Sequence, residues 1–306
     1  MGPVSTPLQA LSGRALSRRQ WMLGAAGAAL GAGCALEPDA DHAGPDAPEA
    51  GPLPGPLRTA WVFSSGGPRG FVHVGVIKAL EELGCKPDLI VGSSVGAMVG
   101  ALCAAGLPAA ELQRLALELQ PWQLVRWNPS GPERVSGSAI ADLVRTQARV
   151  NLLQRLPTPM VCVAQRISDQ AAIHFNRGDL GLAVQAACAI EGQFTPVRIR
   201  GERYADADLR LPLPVRLARG LGVRRVLAVD ASAHEEQAPE GAQRYRAGDE
   251  RKRALTRPDA QAADVLLHPE FGYYVSFSRE FRERAIAAGY RATMAAAARV
   301  KALHQD

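Results

Sequence analysis

The feature that most constrains this chain is the segment 87–105. A short apolar run, Leu89-Ile90-Val91, ends at once in Gly92-Ser93-Ser94-Val95-Gly96 and continues into small residues. An apolar run bounded by turn residues reads as a buried strand. The stretch that follows, with Gly96, Ala97, Gly100, Ala101 and Ala104, reads as a helix slim enough to lie close on a sheet. The same order occurs one unit earlier. Residues 58–65 form an apolar run, Gly66-Gly67-Pro68-Arg69-Gly70 a turn, and 71–83 a helix with Val72, Val76, Leu80 and Leu83 on one face and Gly84 as its stop. Two strand–turn–helix units in succession predict parallel strands with helices on both faces. The expected fold class is α/β, a three-layer α/β/α arrangement around a mainly parallel central sheet.

Downstream, helices are expected over 109–119, 138–148 and 179–190, the last with Asp179 at its cap. Strands are expected over 160–166 and 171–175, a hairpin over 197–205, and a buried strand over 225–229 that ends at Asp230. Residues 231–262 are polar and basic and read as a solvated loop, including Arg251-Lys252-Arg253. A terminal helix or helix pair is expected within 277–303.

Both turns can carry chemistry. A nucleophile needs an exposed hydroxyl, a neighbouring base, and backbone N–H groups aimed at the developing oxyanion. A strand-to-helix turn with Gly92 and Gly96 flanking Ser94 lets the chain reverse sharply and presents the Ser94 hydroxyl at a helix N-terminus. The glycines of the first turn allow a substrate to approach the backbone, and its N–H groups can bind an anion. Pro68 has no N–H, so Gly67 and Arg69 are the expected donors, within an oxyanion loop of Gly66, Gly67, Arg69 and Gly70. A phosphate-binding loop is the rival reading, but no Lys-Ser/Thr follows the glycines.

Residues 64–84, SSGGPRGFVHVGVIKALEELG, followed by 87–106, PDLIVGSSVGAMVGALCAAG, resemble the start of a bacterial patatin-like phospholipase domain. The resemblance implies a patatin-like fold, a lipid acyl hydrolase activity, a Gly-rich oxyanion loop and Ser94 as nucleophile. It also implies an aspartate rather than a histidine as proton acceptor, and the matching position is Asp206, in Tyr204-Ala205-Asp206-Ala207-Asp208-Leu209. The resemblance spans roughly residues 60–230. Ser65 departs from it where a glycine is usual, Glu191 where a proline is usual, and Ala207-Asp208 where a Gly-Gly or Gly-Ala pair is usual. A need for positive φ at position 207 would make Ala207 costly. Asp208 places a second carboxylate beside Asp206, where it would modulate the pKa of the first.

Two competing readings stand beside the Ser94–Asp206 dyad. A Ser-Asp-His triad can be drawn as Ser94, Asp230 and His268. A catalytically impaired lipid-binding lipoprotein is suggested by the Ala207-Asp208 departure. His73 and His174 read as core or edge histidines.

The ends and composition set the setting. Residues 1–34 read as an export signal: Arg18-Arg19 precede an apolar small-residue run too short to span a bilayer, and Leu30-Gly31-Ala32-Gly33-Cys34 resembles a lipoprotein cleavage box with lipidation at Cys34. Residues 35–57 carry Asp, Glu, Pro and Gly with no Lys or Arg and read as a disordered tether ahead of a catalytic domain, 58–306, with a C-terminal helical part over 265–306. The expected location is the periplasmic side of a bacterial membrane. The formal charge is +5, with the basic excess in the domain, which suits weak attraction to an anionic lipid surface. Expected partners are a lipid or phospholipid substrate and a membrane surface. Aromatic residues make up only 5%, so nucleic-acid stacking is not expected. No CxxC pair or other ligand spacing points to a metal, no cofactor is required by a Ser-Asp dyad, and Cys85, Cys103, Cys162 and Cys188 are expected as free thiols by default, with a disulfide open in an oxidising compartment.

Overall fold

Alternation along the strands sets the layers. In β1 (Thr59–Phe63), Ala60 and Val62 enter one hydrophobic core while Trp61 and Phe63 enter the other. In β2 (Leu89–Ser93), Leu89 and Val91 join the first core and Ile90 the second. A strand buried on both faces reads as a continuous apolar run, which is why these segments stand out in the sequence. The computed structural model describes residues 40–128 and 132–305. The expected export signal and Cys34 lie outside the described residues.

Helix α1 (Phe71–Glu82) follows β1, and α2 (Val95–Ala104) follows β2. After α3 (Ala109–Glu118) comes a two-stranded antiparallel ribbon, β3 (Arg126–Trp127) with β4 (Val135–Ser136), and then α4 (Ser138–Ala148). The sheet resumes with β5 (Met160–Arg166) and β6 (Ala172–Phe175), and helix α5 (Leu180–Ala187) leads to β7 (Val197–Ile199) and β8 (Glu202–Asp206). The chain ends through α6 (Val215–Gly220), β9 (Arg225–Val229), α7 (Arg246–Gln261), β10 (Val265–Leu267), α8 (Arg279–Ala295) and α9 (Ala297–His304).

The strand order is β10-β9-β1-β2-β5-β8-β7, with β6 also on β5. The run from β10 to β5 is parallel, and β6, β7 and β8 add antiparallel pairings at one end. Helices α6 and α7 cover one face, and α1 to α5 with α8 cover the other, so the layers are α/β/α as expected. Helices α1 and α8 pack at close range because glycines meet there. A Cβ on Gly75 would lie 1.8 Å from the Ile286 carbonyl oxygen, and one on Gly289 would lie 2.1 Å from that of Val72.

One register detail places the site. Strand β5 outruns β2: Ser93 is the last residue of β2 to pair, opposite Val163. At the next position, Ala164, the partner is Asp206 of β8. The C-terminal end of β2 and the end of β8 therefore meet head to head beside β5, which brings residue 94 to residue 206 across a long sequence gap.

Two expectations are corrected. Residues 40–57 are not a free tether. Glu49 forms a backbone bridge with Arg177, Gly51 exchanges hydrogen bonds with the Asn176 amide at 2.7 Å each way, and the Asp41 carboxylate accepts the Gly201 N–H at 3.0 Å. Ala47 and Leu57 are buried. The acidic composition that suggested a solvated linker serves instead to meet Arg200 and Arg177 on the domain. Likewise, 231–262 is not a loop throughout, since α7 occupies its second half. The Asp179 cap is present, its carboxylate accepting the Leu182 N–H at 2.8 Å, and Cys85, Cys103, Cys162 and Cys188 are free.

Candidate active site

Ser94 sits at the junction of β2 and α2 with φ 53° and ψ −126°, a backbone region that a side chain rarely adopts. The neighbouring glycines make this turn possible by their lack of bulk. A Cβ on Gly92 would lie 2.5 Å from the Gly96 carbonyl oxygen, and one on Gly96 would lie 2.3 Å from that of Phe63. The reversal is so tight that strand, turn and helix backbones touch, and the Ser94 side chain projects from its apex.

The Ser94 hydroxyl donates to Asp206 Oδ2 at 2.5 Å. Asp206 is buried, and burial is the main reason that its carboxyl is pushed up to about 7. The Ser94 hydroxyl and the Asp208 N–H, which donates to Asp206 Oδ1 at 2.8 Å, act in the opposite direction by stabilising the carboxylate. The Asp208 charge raises the value further, and Lys252 lowers it. Lys252 Nζ donates to Asp208 Oδ1 at 2.6 Å, so the second carboxylate carries its own counterion. Ala207 is buried and is not among the residues with positive φ, so the expected strain at this position is not found.

The first glycine turn lies against this pair. Gly66 and Gly67 have φ of 156° and 53°, and residues Gly67–Gly70 form a single 3₁₀ turn. A Cβ on Gly70 would lie 2.4 Å from Val95 Cγ1, so the loop seats directly on the start of α2. Gly67 and Gly70 line the groove beside Ser94. Arg69 does not act as expected of a donor. Its N–H is given to the Gly66 carbonyl at 3.1 Å. Its guanidinium points away from the groove, donating to the carbonyls of Ala231 (2.7 Å), Gly272 (2.9 Å) and Tyr273 (3.2 Å) and lying over the Phe271 ring. Among the described residues, Gly66 and Gly67 donate no backbone hydrogen bond, and they remain the candidate oxyanion donors.

The groove in front of Ser94 has a volume of about 550 Å³. Its walls are mostly apolar, with Phe71, Met98, Leu102, Leu115, Phe194 and Phe277 among them. Concave, apolar clefts of this size with a few convergent polar groups are the usual form of a small-molecule site.

The triad drawn from Ser94, Asp230 and His268 is not assembled. These residues follow β2, β9 and β10, and β1 lies between β2 and β9. Strand spacing alone puts His268 on the order of 14 Å from Ser94. His268 instead stacks on His234, and His73 is buried, its Nε2 2.9 Å from the Ser64 carbonyl oxygen, with burial holding it down at about 4 and hence neutral.

A buried serine turn, an aspartate at hydrogen-bond distance and a glycine loop on the same helix start are now in one place. The family profile of patatin-like phospholipases matches residues 61–219, just over half of the chain. The chain belongs to the patatin-like phospholipase family. An uncharacterized NTE family protein of Mycobacterium bovis is 33% identical over 181 residues, covering 58% of this chain and 50% of that one. Patatin-like phospholipase domain-containing protein 6 of Mus musculus is 29% identical over 187 residues, 58% of this chain and 14% of its own length. A lysophospholipase of Emericella nidulans is 26% identical, over 59% of this chain and 12% of its own. The chain thus spans half or less of the length of these curated relatives. Among solved structures, VipD from Legionella pneumophila has the same fold, with a TM-score of 0.54 at 14% identity over 82% of this chain and 67% of that one.

Four contributors to this patatin-like site are not evident from the sequence. Lys252 reads there as part of a solvated basic cluster. Cys188 donates its thiol to the Ser94 carbonyl at 3.2 Å and is held far up the scale by burial, hence as the thiol. Phe194 and Phe277 reach the groove from segments far apart in the chain.

Proposed function

We propose that this protein is a serine acyl hydrolase that cleaves acyl esters of lipids through a Ser94–Asp206 dyad. The observation that carries this reading is the 2.5 Å hydrogen bond from the Ser94 hydroxyl to a buried carboxylate at the head of an apolar groove. Asp206 Oδ2 takes the hydroxyl proton while Ser94 Oγ attacks the ester carbonyl. The carbonyl oxygen becomes an oxyanion, held by the amides of Gly66 and Gly67, each such donor being worth about 10²–10³ in rate. Collapse of the intermediate breaks the bond to the alcohol, which leaves with the proton from Asp206. Water then gives a proton to Asp206 and attacks the acyl-enzyme, and release of the carboxylic acid returns the proton to Ser94. A base pushed up to about 7 is matched to proton transfer near neutral pH.

The groove sets the substrate class. Each buried methylene contributes about 0.8 kcal/mol, so kcat/KM on aryl esters is expected to rise up to about fourfold per added carbon until the acyl chain fills the groove. Flat dependence on chain length in a steady-state series would exclude this groove as the acyl site. Trp122 and Trp127 are 70% and 65% exposed, and Trp122 lies in the turn whose neighbours Pro121, Gln123 and Leu124 line the groove. Exposed tryptophans at an apolar opening suit a lipid–water interface. The export signal and lipidation at Cys34 read from the sequence agree with a substrate at a membrane surface on the periplasmic side, and fractionation of a Cys34→Ser variant tests the anchor.

Lys252 lowers the pKa of the base from the value that burial sets. In a Lys252→Met protein the acid limb of the pH–kcat/KM profile is expected to move up by about one pH unit, because a cation that favours ionised Asp206 is gone and the Asp208 charge is uncompensated. Lys252→Arg should restore the limb, and Asp208→Asn should move it down. An unmoved limb in both Lys252→Met and Asp208→Asn would show that this pair does not reach the base. The direct test of the reading itself is fluorophosphonate labelling located by mass spectrometry: the label is expected on Ser94, and labelling elsewhere or none would overturn it.

A further inference from the structure

The C-terminal ends of β9 and β10 hold a second cluster that the dyad does not use. Asp230 follows β9 directly, His268 follows β10 directly, and His234 comes from the segment just after Asp230. One donor atom from each lies within 4.8 Å of the others. Asp230 is buried, and its Oδ1 is already satisfied by the Ser232 N–H at 2.9 Å and hydroxyl at 2.7 Å. That leaves Oδ2 facing the imidazoles, 3.7 Å from His234 Nε2 and 3.7 Å from His268 Nδ1. The two rings stack at 3.9 Å with only 15° between their planes, so they approach the carboxylate together rather than from opposite sides.

His268 is held as a metal-binding histidine is held. His268 Nδ1 lies 3.0 Å from the Asp230 carbonyl oxygen, and its Nε2 is buried with no partner. With the proton on Nδ1, the carbonyl accepts it and the lone pair remains on the unpartnered Nε2. His234 Nδ1 faces Glu236 Oε1 at 3.7 Å while its Nε2 faces Asp230. A carbonyl or carboxylate on one ring nitrogen fixes the tautomer that frees the other for a metal. Two imidazoles and one carboxylate suit zinc and its neighbours in the first transition row, with bonds of about 2.0–2.2 Å. Such bonds set tetrahedral donors about 3.4 Å apart with the ion in the plane of each ring, so the two stacked rings must turn out of their 15° alignment to aim a lone pair from each at one ion. The side chains of His234 and His268 keep 20% and 17% exposure, which leaves the cluster open to solvent cations. The ends of parallel strands are also where α/β sheets place their ligands.

We propose that Asp230, His234 and His268 form a binding site for a divalent transition-metal ion such as zinc, with water completing the coordination. The site backs onto the glycine turn: Arg69 grips the carbonyl of Ala231, and a Cβ on Gly66 would lie 3.2 Å from that of Ala231. A bound ion fastens the segment after β9 to the end of β10 and so buttresses that turn. The inference does not depend on the hydrolase reading.

The test uses the untagged full chain, stripped of metal with a chelator and titrated with Zn²⁺ by calorimetry and with Co²⁺ by visible absorption. One equivalent is expected to bind in the micromolar range or tighter, with a tetrahedral-type cobalt spectrum and a raised melting temperature. His234→Ala and His268→Ala should each weaken zinc binding by about 10–100-fold, and circular dichroism in chelator reports whether they fold. Should either alanine variant unfold, His234→Gln and His268→Gln keep the bulk and the local hydrogen bonding and should show the same loss. Absence of binding in the wild-type chain up to about a hundred times the micromolar range expected, or unchanged affinity in the folded double variant, would overturn the proposal.

Discussion

Replacing Asp206 with asparagine is expected to lower kcat/KM by at least about a thousandfold and, at pH 8, to raise the stability of the fold. The two effects have one cause. The Asp206 carboxyl is pushed from its ordinary 3.8 to about 7, chiefly by burial, so the folded state holds its proton more tightly than the unfolded chain does. The favourable contribution of the protonated acid is complete below about pH 4 and is lost as the pH rises through 7. Above that, a desolvated carboxylate opposes folding by an amount on the order of a few kcal/mol. Asparagine keeps the shape and can still accept the Asp208 N–H, but it carries no charge to desolvate and cannot take a proton from Ser94. Denaturant midpoints of the wild-type and Asp206→Asn proteins should therefore differ at pH 8 and converge only below about pH 4. An asparagine variant that is the less stable at both pH values would mean that the carboxylate is stabilised in place, and that its raised pKa is not the cost of catalysis.

The serine turn and the parallel sheet are legible in the sequence because both depend on local rules. An apolar run, a glycine pair around Ser94 and a small-residue helix are contiguous, and the steric reason for Gly92 and Gly96 acts between residues at most a few tens of positions apart. Asp206 is different. It is legible only through a family resemblance, since what joins it to Ser94 is the register of β5, which outruns β2 by three positions and hands that edge to β8. No pattern in the linear chain encodes that handover.

Helix α7 escapes a reading of the sequence for a different reason. It buries only Thr256 and Asp259, and Asp259 docks it by accepting the Arg216 N–H at 2.7 Å and pairing with its guanidinium. A helix seated by polar contacts has no apolar stripe for periodicity to detect, and the role of Lys252 is hidden with it. The acidic segment 40–57 misleads because composition reports a preference for solvent and not the positions of Arg177 and Arg200 on a folded surface. Asp230, His234 and His268 escape a spacing search because two neighbouring strand ends, not a short motif, bring them together.

The second large effect is expected at Ser94, where two truncations separate chemistry from strain. Ser94→Ala and Ser94→Gly should both lose fluorophosphonate labelling and at least about a thousandfold in kcat/KM, because each removes the attacking oxygen. Neither should lose further activity when combined with Asp206→Asn, since groups that act as a unit are not additive. Their stabilities should diverge. Alanine retains a Cβ at φ 53° and ψ −126°, a conformation that costs a non-glycine residue on the order of 1–3 kcal/mol. Glycine releases that strain but gives up roughly 0.5–1 kcal/mol to the entropy of its unfolded chain. The glycine variant is therefore expected to be the more stable of the two by about 1 kcal/mol, the reverse of the order inside a helix. Urea midpoints at matched m-values decide it. If alanine proves the more stable, the turn imposes no net strain on its apex, and the glycines at 92 and 96, by letting three backbones touch, already relieve the strain assigned to the nucleophile.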